Sequence, residues 1–372
     1  MRIGVLTSSR ADYGIYRPLL EALRAAGGFD VQLFVFGTHL SPYHGATVRQ
    51  IEADDLAPIA ERIESLVLAD SPEAISVAMG LTTTRFAAVW ARWQGKLDLV
   101  LALGDRFEMF AAVAAAVPLG FRIGHLHGGE TTLGAIDNVF RHSLTLMAQV
   151  HFASTARHAA RVAELVGTDR HVFNVGALSL ANLLTVPLLT TAEFAAKFGV
   201  DLARPTVLVT FHPETVAFER NQQYAEELVA ALTELPEQIL ITMPNADTLG
   251  TVIRAALEEF VSAAGGRAVA IESLGTQGYF SAMQHCAYLI GNTSSGIIEA
   301  ASLGRYVLNL GDRQAGRDAG ENVRHCPVER TAIVRSATEL GSLGAYTGPN
   351  LYGDSSAAAR VVAQLQTLQL DA

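Results

Sequence analysis

Short runs of aliphatic residues recur along the whole chain with amphipathic stretches between them, and no other feature restricts the fold as strongly. The runs cover residues 2–7, 31–36, 98–103, 121–125 and 149–154, then 205–211, 238–243, 267–271, 287–291 and 306–310. A strand with one wet face alternates apolar and polar residues, whereas a strand of a parallel sheet, covered on both faces, reads as a continuous apolar run. The runs here are of the second kind. The intervening stretches, such as 15–26, 74–93, 218–233, 247–263 and 295–303, have helical spacing. This alternation predicts an α/β protein with doubly wound parallel sheets. The pattern breaks between Asn182 and Pro205, where Leu184-Thr185-Val186-Pro187 and a short helix near 191–198 intervene. Two Rossmann-like domains are therefore predicted, residues 1–185 and 186–354. The helical tail 355–372 either closes the second domain or crosses back to complete the first.

Composition agrees with two buried cores, since half of the 372 residues are hydrophobic and only 17% are charged. The net charge of -10 excludes a nucleic-acid binder, which needs a basic face to release counterions. An anionic ligand has to be held by local groups. Cys286 and Cys326 offer neither a disulfide framework nor metal-ligand spacing and read as core thiols. The opening apolar run is too short for a signal peptide, and longer apolar stretches are interrupted by charges, Gly or Pro. A cytoplasmic protein with no membrane partner is expected.

In open α/β sheets, ligands bind outside the carboxyl ends of the strands, so the polar residues that follow each apolar run carry the information. After the first run comes Ser8-Ser9-Arg10-Ala11-Asp12, after the third Gly104-Asp105-Arg106, and after the fourth His125-Leu126-His127-Gly128-Gly129-Glu130. Asp105 alone reads equally as a helix cap. His125, His127, Glu130, Asp137, Arg141 and His142 fall within 18 residues, and burying so many ionisable groups for stability alone is costly. A functional cleft accounts for them, although Arg141-His142 also suits a packing face. His125 and His127 share one side of a strand, but no metal and no cofactor are expected.

The second half has a different character. Its runs end in His212-Pro213-Glu214, in Pro244-Asn245 and in Gly291-Asn292-Thr293-Ser294-Ser295-Gly296. Small hydroxyl residues opening a helix offer free N–H groups and hydroxyl donors that suit a diphosphate, although Thr293 or Ser294 alone reads as a cap. Glu299 suits the vicinal hydroxyls of a ribose, and Arg313 supplies a cation beside the phosphates. Dinucleotide, P-loop, zincin and hydrolase-elbow motifs are missing from the sequence.

Taken with their order and spacing over residues 2–330, the motifs Arg10-Ala11-Asp12-Tyr13-Gly14, Gly104-Asp105-Arg106-Phe107-Glu108, His125-Leu126-His127-Gly128-Gly129-Glu130, Asp137 with Arg141-His142, His212-Pro213-Glu214-Thr215, Asn292-Thr293-Ser294-Ser295-Gly296 and Gly311-Asp312-Arg313-Gln314 resemble the hydrolysing UDP-N-acetylglucosamine 2-epimerases, the bacterial enzymes that supply N-acetylmannosamine for sialic acid. The resemblance implies a GT-B-type pair of domains, an active site in the cleft between them, a homodimer or homotetramer, and a nucleotide-sugar substrate. It implies that Arg10, Arg106, His212, Asn245, Ser294, Ser295, Glu299 and Arg313 hold UDP. Asp105, His127, Glu130 and Asp137 would face the sugar, with Asp105 and Asp137 indispensable and His127 or Glu130 donating a proton. The sequence departs from the family twice: relatives often carry Glu at His127 and Lys at Leu146. Action on a GDP- or UDP-linked diacetamido-trideoxy sugar, or a GT-B glycosyltransferase, are the alternatives.

Overall fold

The apolar runs form strands whose flanking residues go under helices on either face. In the computed structural model, which describes residues 1–68, 71–133, 136–214, 218–243 and 250–369, the chain divides into two units. The first comprises Met1–Glu130, Asp137–Asn182 and Tyr352–Ala372, and the second Thr131–Ile136 and Leu183–Leu351. The tail thus belongs with the first unit, where its helix Ala357–Thr367 packs against helix Arg10–Ala26. Assignment of Thr131–Ile136 to the second unit has no counterpart in the sequence pattern.

The first unit contains β1 (Arg2–Thr7), β2 (Asp30–Phe36), β3 (Ile59–Ile63), β4 (Leu99–Leu103), β5 (Ile123–Leu126), β6 (Val150–Ala153) and β7 (Val172–Asn174). They form one parallel sheet in the order β3-β2-β1-β4-β5-β6-β7. The strand order reverses between β1 and β4, paired through Ile3 with Leu99 and Val5 with Leu101, and at such a switch point the loops leave toward opposite faces and open a crevice. The loops that carry Ser8–Arg10 and Gly104–Arg106 flank it.

The second unit contains β8 (Thr206–Thr210), β9 (Gln238–Thr242), β10 (Ala268–Ile271), β11 (Tyr288–Gly291), β12 (Val307–Leu310) and β13 (Val323–Cys326), ordered β10-β9-β8-β11-β12-β13 and parallel throughout. Its switch point lies between β8 and β11, so the loops starting at Phe211 and Asn292 face one another. β3, β7 and β13 escape the sequence pattern because they are edge strands of mixed polarity, such as Val-Arg-His-Cys in β13, with little fully buried surface.

Helix Pro72–Trp93 is long and apolar enough to span a bilayer, with a mean hydropathy of 1.2 over its best window. It instead covers the first sheet: Phe86, Val89 and Trp90 are buried against Phe34, Phe36 and Val113, and the Trp90 indole N–H donates to the Ala112 carbonyl at 2.9 Å. Burying side chains of this size contributes about 1.5–3 kcal/mol each.

Candidate active site

In the first unit the loop after β1 is gathered around one carboxylate. Asp12, 6% exposed, accepts from the Thr7 hydroxyl at 2.5 Å, the Ser8 N–H at 2.9 Å and the Ser8 hydroxyl at 2.8 Å, and it completes a capping box with Ser9. Burial opposes its charge, yet the hydrogen bonds from His39, Thr7 and Ser8 hold it below the usual carboxylate range. Arg10 follows immediately, exposed at the first position of helix Arg10–Ala26.

Asp105 does not cap the helix after β4: Arg106 stands at the cap position and no side chain caps that end. The Asp105 carboxylate turns to Arg141, whose Nη2 donates to Oδ2. Arg106 makes a two-pronged contact with buried Glu108, at 2.8 and 3.1 Å, which fixes the direction of a guanidinium that stays 43% exposed. Ahead of Asp105, the Gly104 carbonyl accepts from His125 Nε2 at 2.8 Å. A carbonyl only accepts, so His125 carries its proton on Nε2 and its Nδ1 meets the Thr145 hydroxyl at 3.1 Å. Burial pushes this imidazole down to about 3, so it acts as a neutral prop for the Asp105 loop.

Among the described residues, His127 is one of four non-glycine residues with a left-handed backbone, φ 63°. That conformation directs its carbonyl to Arg141 Nη1 at 2.9 Å while its N–H donates to the Phe152 carbonyl at 2.9 Å. The ring is equally committed. Nε2 accepts from the Leu178 N–H at 3.3 Å, leaving the proton on Nδ1, which donates to Glu130 Oε1 at 2.8 Å. Glu130, 1% exposed, also accepts from the Ser154 hydroxyl at 2.8 Å and lies 3.6 Å from Arg141. Both imidazole nitrogens are therefore taken up inside the unit, and Glu130 is spent on holding His127, Ser154 and Arg141. The two residues that the sequence offered as proton donors form the wall behind Asp105. Asp137 opens helix Asp137–Met147 and has its pKa raised to about 6, by burial first and by the charge of Asp105 second, against the pull of Arg106 and Arg141. A carboxylate anchored by an arginine thus lies beside a carboxyl poised near neutrality, the arrangement that general acid–base chemistry requires.

In the second unit, His212 follows β8. Its Nδ1 is buried without a partner among the described residues, and burial, reinforced by Arg313, pushes its pKa down to about 3. Arg313 Nη1 donates to the Asn292 carbonyl at 3.2 Å, and buried Glu214 accepts the Asp312 N–H at 2.8 Å, which shapes the turn that presents Arg313. After β11, Thr293 takes the cap, accepting from the Ser295 N–H at 3.3 Å. The helix expected over 295–303 is instead a five-residue turn Ser294–Ile298, with Glu299, 5% exposed, at its end and a 3-10 turn beyond. What that end of the strand offers is hydroxyls, local N–H groups and the nearby Arg313 rather than a long helix dipole. Asn245 lies outside the described residues. Sequence reasoning quoted Asn292 and Glu108 within motifs but gave neither a role, and it passed over Tyr279, whose hydroxyl lies 3.4 Å from that of Thr210.

A family model described as UDP-N-acetylglucosamine 2-epimerase matches residues 21–366. The polysialic acid biosynthesis protein P7 of Escherichia coli is 34% identical, over 90% of this chain and 84% of its own. The UDP-N,N'-diacetylbacillosamine 2-epimerase (hydrolyzing) of Legionella pneumophila is 30% identical, over 99% of this chain and 96% of its own. Among solved structures, the UDP-GlcNAc 2-epimerase of Neisseria meningitidis bound to UDP-GlcNAc superposes with a TM-score of 0.82 at 17% identity, covering 99% of this chain and all of that one. The shared fold is a pair of doubly wound parallel-sheet domains.

Proposed function

The chain belongs to the UDP-N-acetylglucosamine 2-epimerase family, and we propose that it is a hydrolysing member, converting UDP-N-acetylglucosamine and water to N-acetylmannosamine and UDP for sialic acid-type sugar biosynthesis. The observation that carries this reading is the unequal carboxyl pair, Asp105 tied to Arg141 and Asp137 raised to about 6. The names of the Escherichia coli and Legionella pneumophila relatives support the pathway and the hydrolytic outcome.

The hydrogen on C2 of the sugar is not next to a carbonyl, so it becomes acidic only as the C1–O bond to UDP breaks and C1 gains oxocarbenium character. In the proposed course, UDP leaves with the bonding electron pair, one carboxylate takes the C2 proton, and a 2-acetamidoglucal forms. Water then adds at C1 while a proton returns to C2 from the opposite face. Asp105, paired with Arg141, suits the base; Asp137 suits the donor better than His127, whose nitrogens are both engaged. Glu130 and His127 hold this pair in place. Arg10, Arg106, His212, Asn245, Ser294, Ser295, Glu299 and Arg313 hold UDP, and Arg313 with the serines stabilises the leaving diphosphate, the class of effect that usually supplies most acceleration.

The Legionella pneumophila relative favours a second reading, the same reaction on a UDP-linked diacetamido sugar. A cytoplasmic homo-oligomer is part of the proposal. Helix Phe107–Ala116 packs against both helix Pro72–Trp93 and helix Asp137–Met147, and Val77, Val139 and Leu146 on the outer two are 55%, 64% and 60% exposed, apolar surface suited to a second copy.

Incubation with UDP-N-acetylglucosamine in deuterated water, followed by proton and phosphorus NMR, tests the reading. UDP together with N-acetylmannosamine deuterated at C2 is the expected result. An untouched substrate moves the assignment to the diacetamido sugars, and N-acetylglucosamine without deuterium overturns the epimerase reading in favour of a transferase.

A further inference from the structure

Asn292 is fully buried at the switch point of the second sheet. Its carboxamide is committed on both sides to one backbone segment: the His212 N–H donates to Oδ1 at 2.7 Å, and Nδ2 donates to the His212 carbonyl at 2.8 Å. Its own main chain is committed as well. The N–H donates to the Thr210 carbonyl at 3.1 Å, and the carbonyl accepts from Arg313 Nη1 at 3.2 Å and from Gln314 Nε2 at 2.9 Å. Gly291 makes this approach possible. With φ at 149°, any Cβ there would lie 1.9 Å from the Thr210 oxygen, so only glycine lets the end of β11 come so close to β8.

One residue therefore ties together three loops: that of His212, its own loop leading to Ser294 and Ser295, and that of Arg313. We propose that Asn292 is a positioning residue for the diphosphate of the nucleotide, holding these three groups of donors in mutual register. This inference rests on the nucleotide reading of the second unit. The residue type is restrictive, because the site needs a donor and an acceptor side by side. Aspartate would set a carboxylate oxygen against the His212 carbonyl, and alanine would leave a buried N–H and a buried C=O unpaired.

The test is calorimetric titration of UDP and UMP into the unaltered protein, Asn292→Ala and Asn292→Asp, at a temperature where thermal melts show all three folded. Asn292→Ala should weaken UDP about tenfold or more, the equivalent of one buried hydrogen bond, with UMP affected much less. In turnover, KM should rise more than kcat falls. Gln314→Met keeps the volume and removes only one of the two donors to the Asn292 carbonyl; it should weaken UDP several-fold and serves if the Asn292 variants do not fold. A UDP Kd in Asn292→Ala within twofold of the unaltered protein overturns the proposal, as does equal weakening of UMP and UDP, which marks general loosening. For the milder variant, an unchanged UDP Kd in Gln314→Met does the same. Failure of the unaltered protein to bind UDP overturns the nucleotide reading itself, and this inference with it.

Discussion

Glu130→Gln isolates the contribution of the buried wall behind Asp105. The side chain keeps its size but loses its charge at a position 1% exposed. Oε1 presently receives both the His127 and the Ser154 proton, and Oε2 faces Arg141 at 3.6 Å. A carboxamide accepts through one oxygen only, so its NH2 group has to point at another donor. Breaking a buried ion pair by removing one partner costs about 3–5 kcal/mol. Asp105 still holds the other end of Arg141, which brings the expected loss to about 2–3 kcal/mol. At about 2–4 °C per kcal/mol for a domain of this size, the melting temperature should fall by about 4–12 °C. Differential scanning calorimetry at neutral pH measures this directly, with UDP affinity as a control that should not change, because the partners His127, Ser154 and Arg141 are not among the residues proposed to hold UDP. A melting temperature within about 1 °C of the unaltered protein would refute the view that the Glu130–Arg141–Asp105 network supports the first unit.

Three further outcomes are expected. Asp137→Asn should lower kcat by about 10²–10⁴ and remove a limb near pH 6 from the rate profile while leaving the Kd for UDP in place; an unchanged profile excludes Asp137 as the donor. His151, 2% exposed with its Nδ1 unpartnered, has its pKa lowered to about 4 by burial and then by His171. The unfolded chain therefore binds its proton first, stability is complete above the unfolded value of about 6.5 and is lost as pH falls toward 4, and at pH 5 the loss is about 2 kcal/mol. Urea titrations of His151→Leu between pH 7 and pH 5 should show a shallower acid slope, and an identical slope counts against this account. Arg313→Ala should weaken UDP about tenfold or more, since a charge-assisted contact to phosphate is lost, without moving the melting temperature much; calorimetry that finds equal affinity removes Arg313 from the nucleotide site.

The strands at the centres of both sheets were legible because burial on both faces leaves few polar positions in the run, and that also made the residues after β1, β4, β8 and β11 stand out. β3 and β13 were not legible: their charged residues, such as Arg62 and Arg324, face solvent at a sheet edge, and pairing partners far away in sequence decide the conformation. At the site, the residue types were readable but their commitments were not. Nothing in His125-Leu126-His127 says that one ring props the Gly104 carbonyl while the other, on a left-handed backbone, is shared between Glu130 and Leu178. Both outcomes depend on strands β4 and β6 and on a loop 51 residues downstream. Asp105 was readable as a candidate carboxylate, but nothing near it in sequence says that Arg141, 36 residues later, takes it.

The chain enters the second unit twice and leaves it twice, and the first unit is closed by helix Ala357–Thr367 lying on helix Arg10–Ala26. During synthesis these partners emerge at opposite ends of the job. Residues 183–351 are continuous and can collapse as soon as they leave the ribosome, whereas Tyr13, Leu20 and Leu23 wait for Val361 and Leu365, which share their core, until residues 183–351 have been made. The half of the protein that is translated first is thus the half that matures last, and for that interval its unfinished apolar face is the natural target of chaperones and proteases.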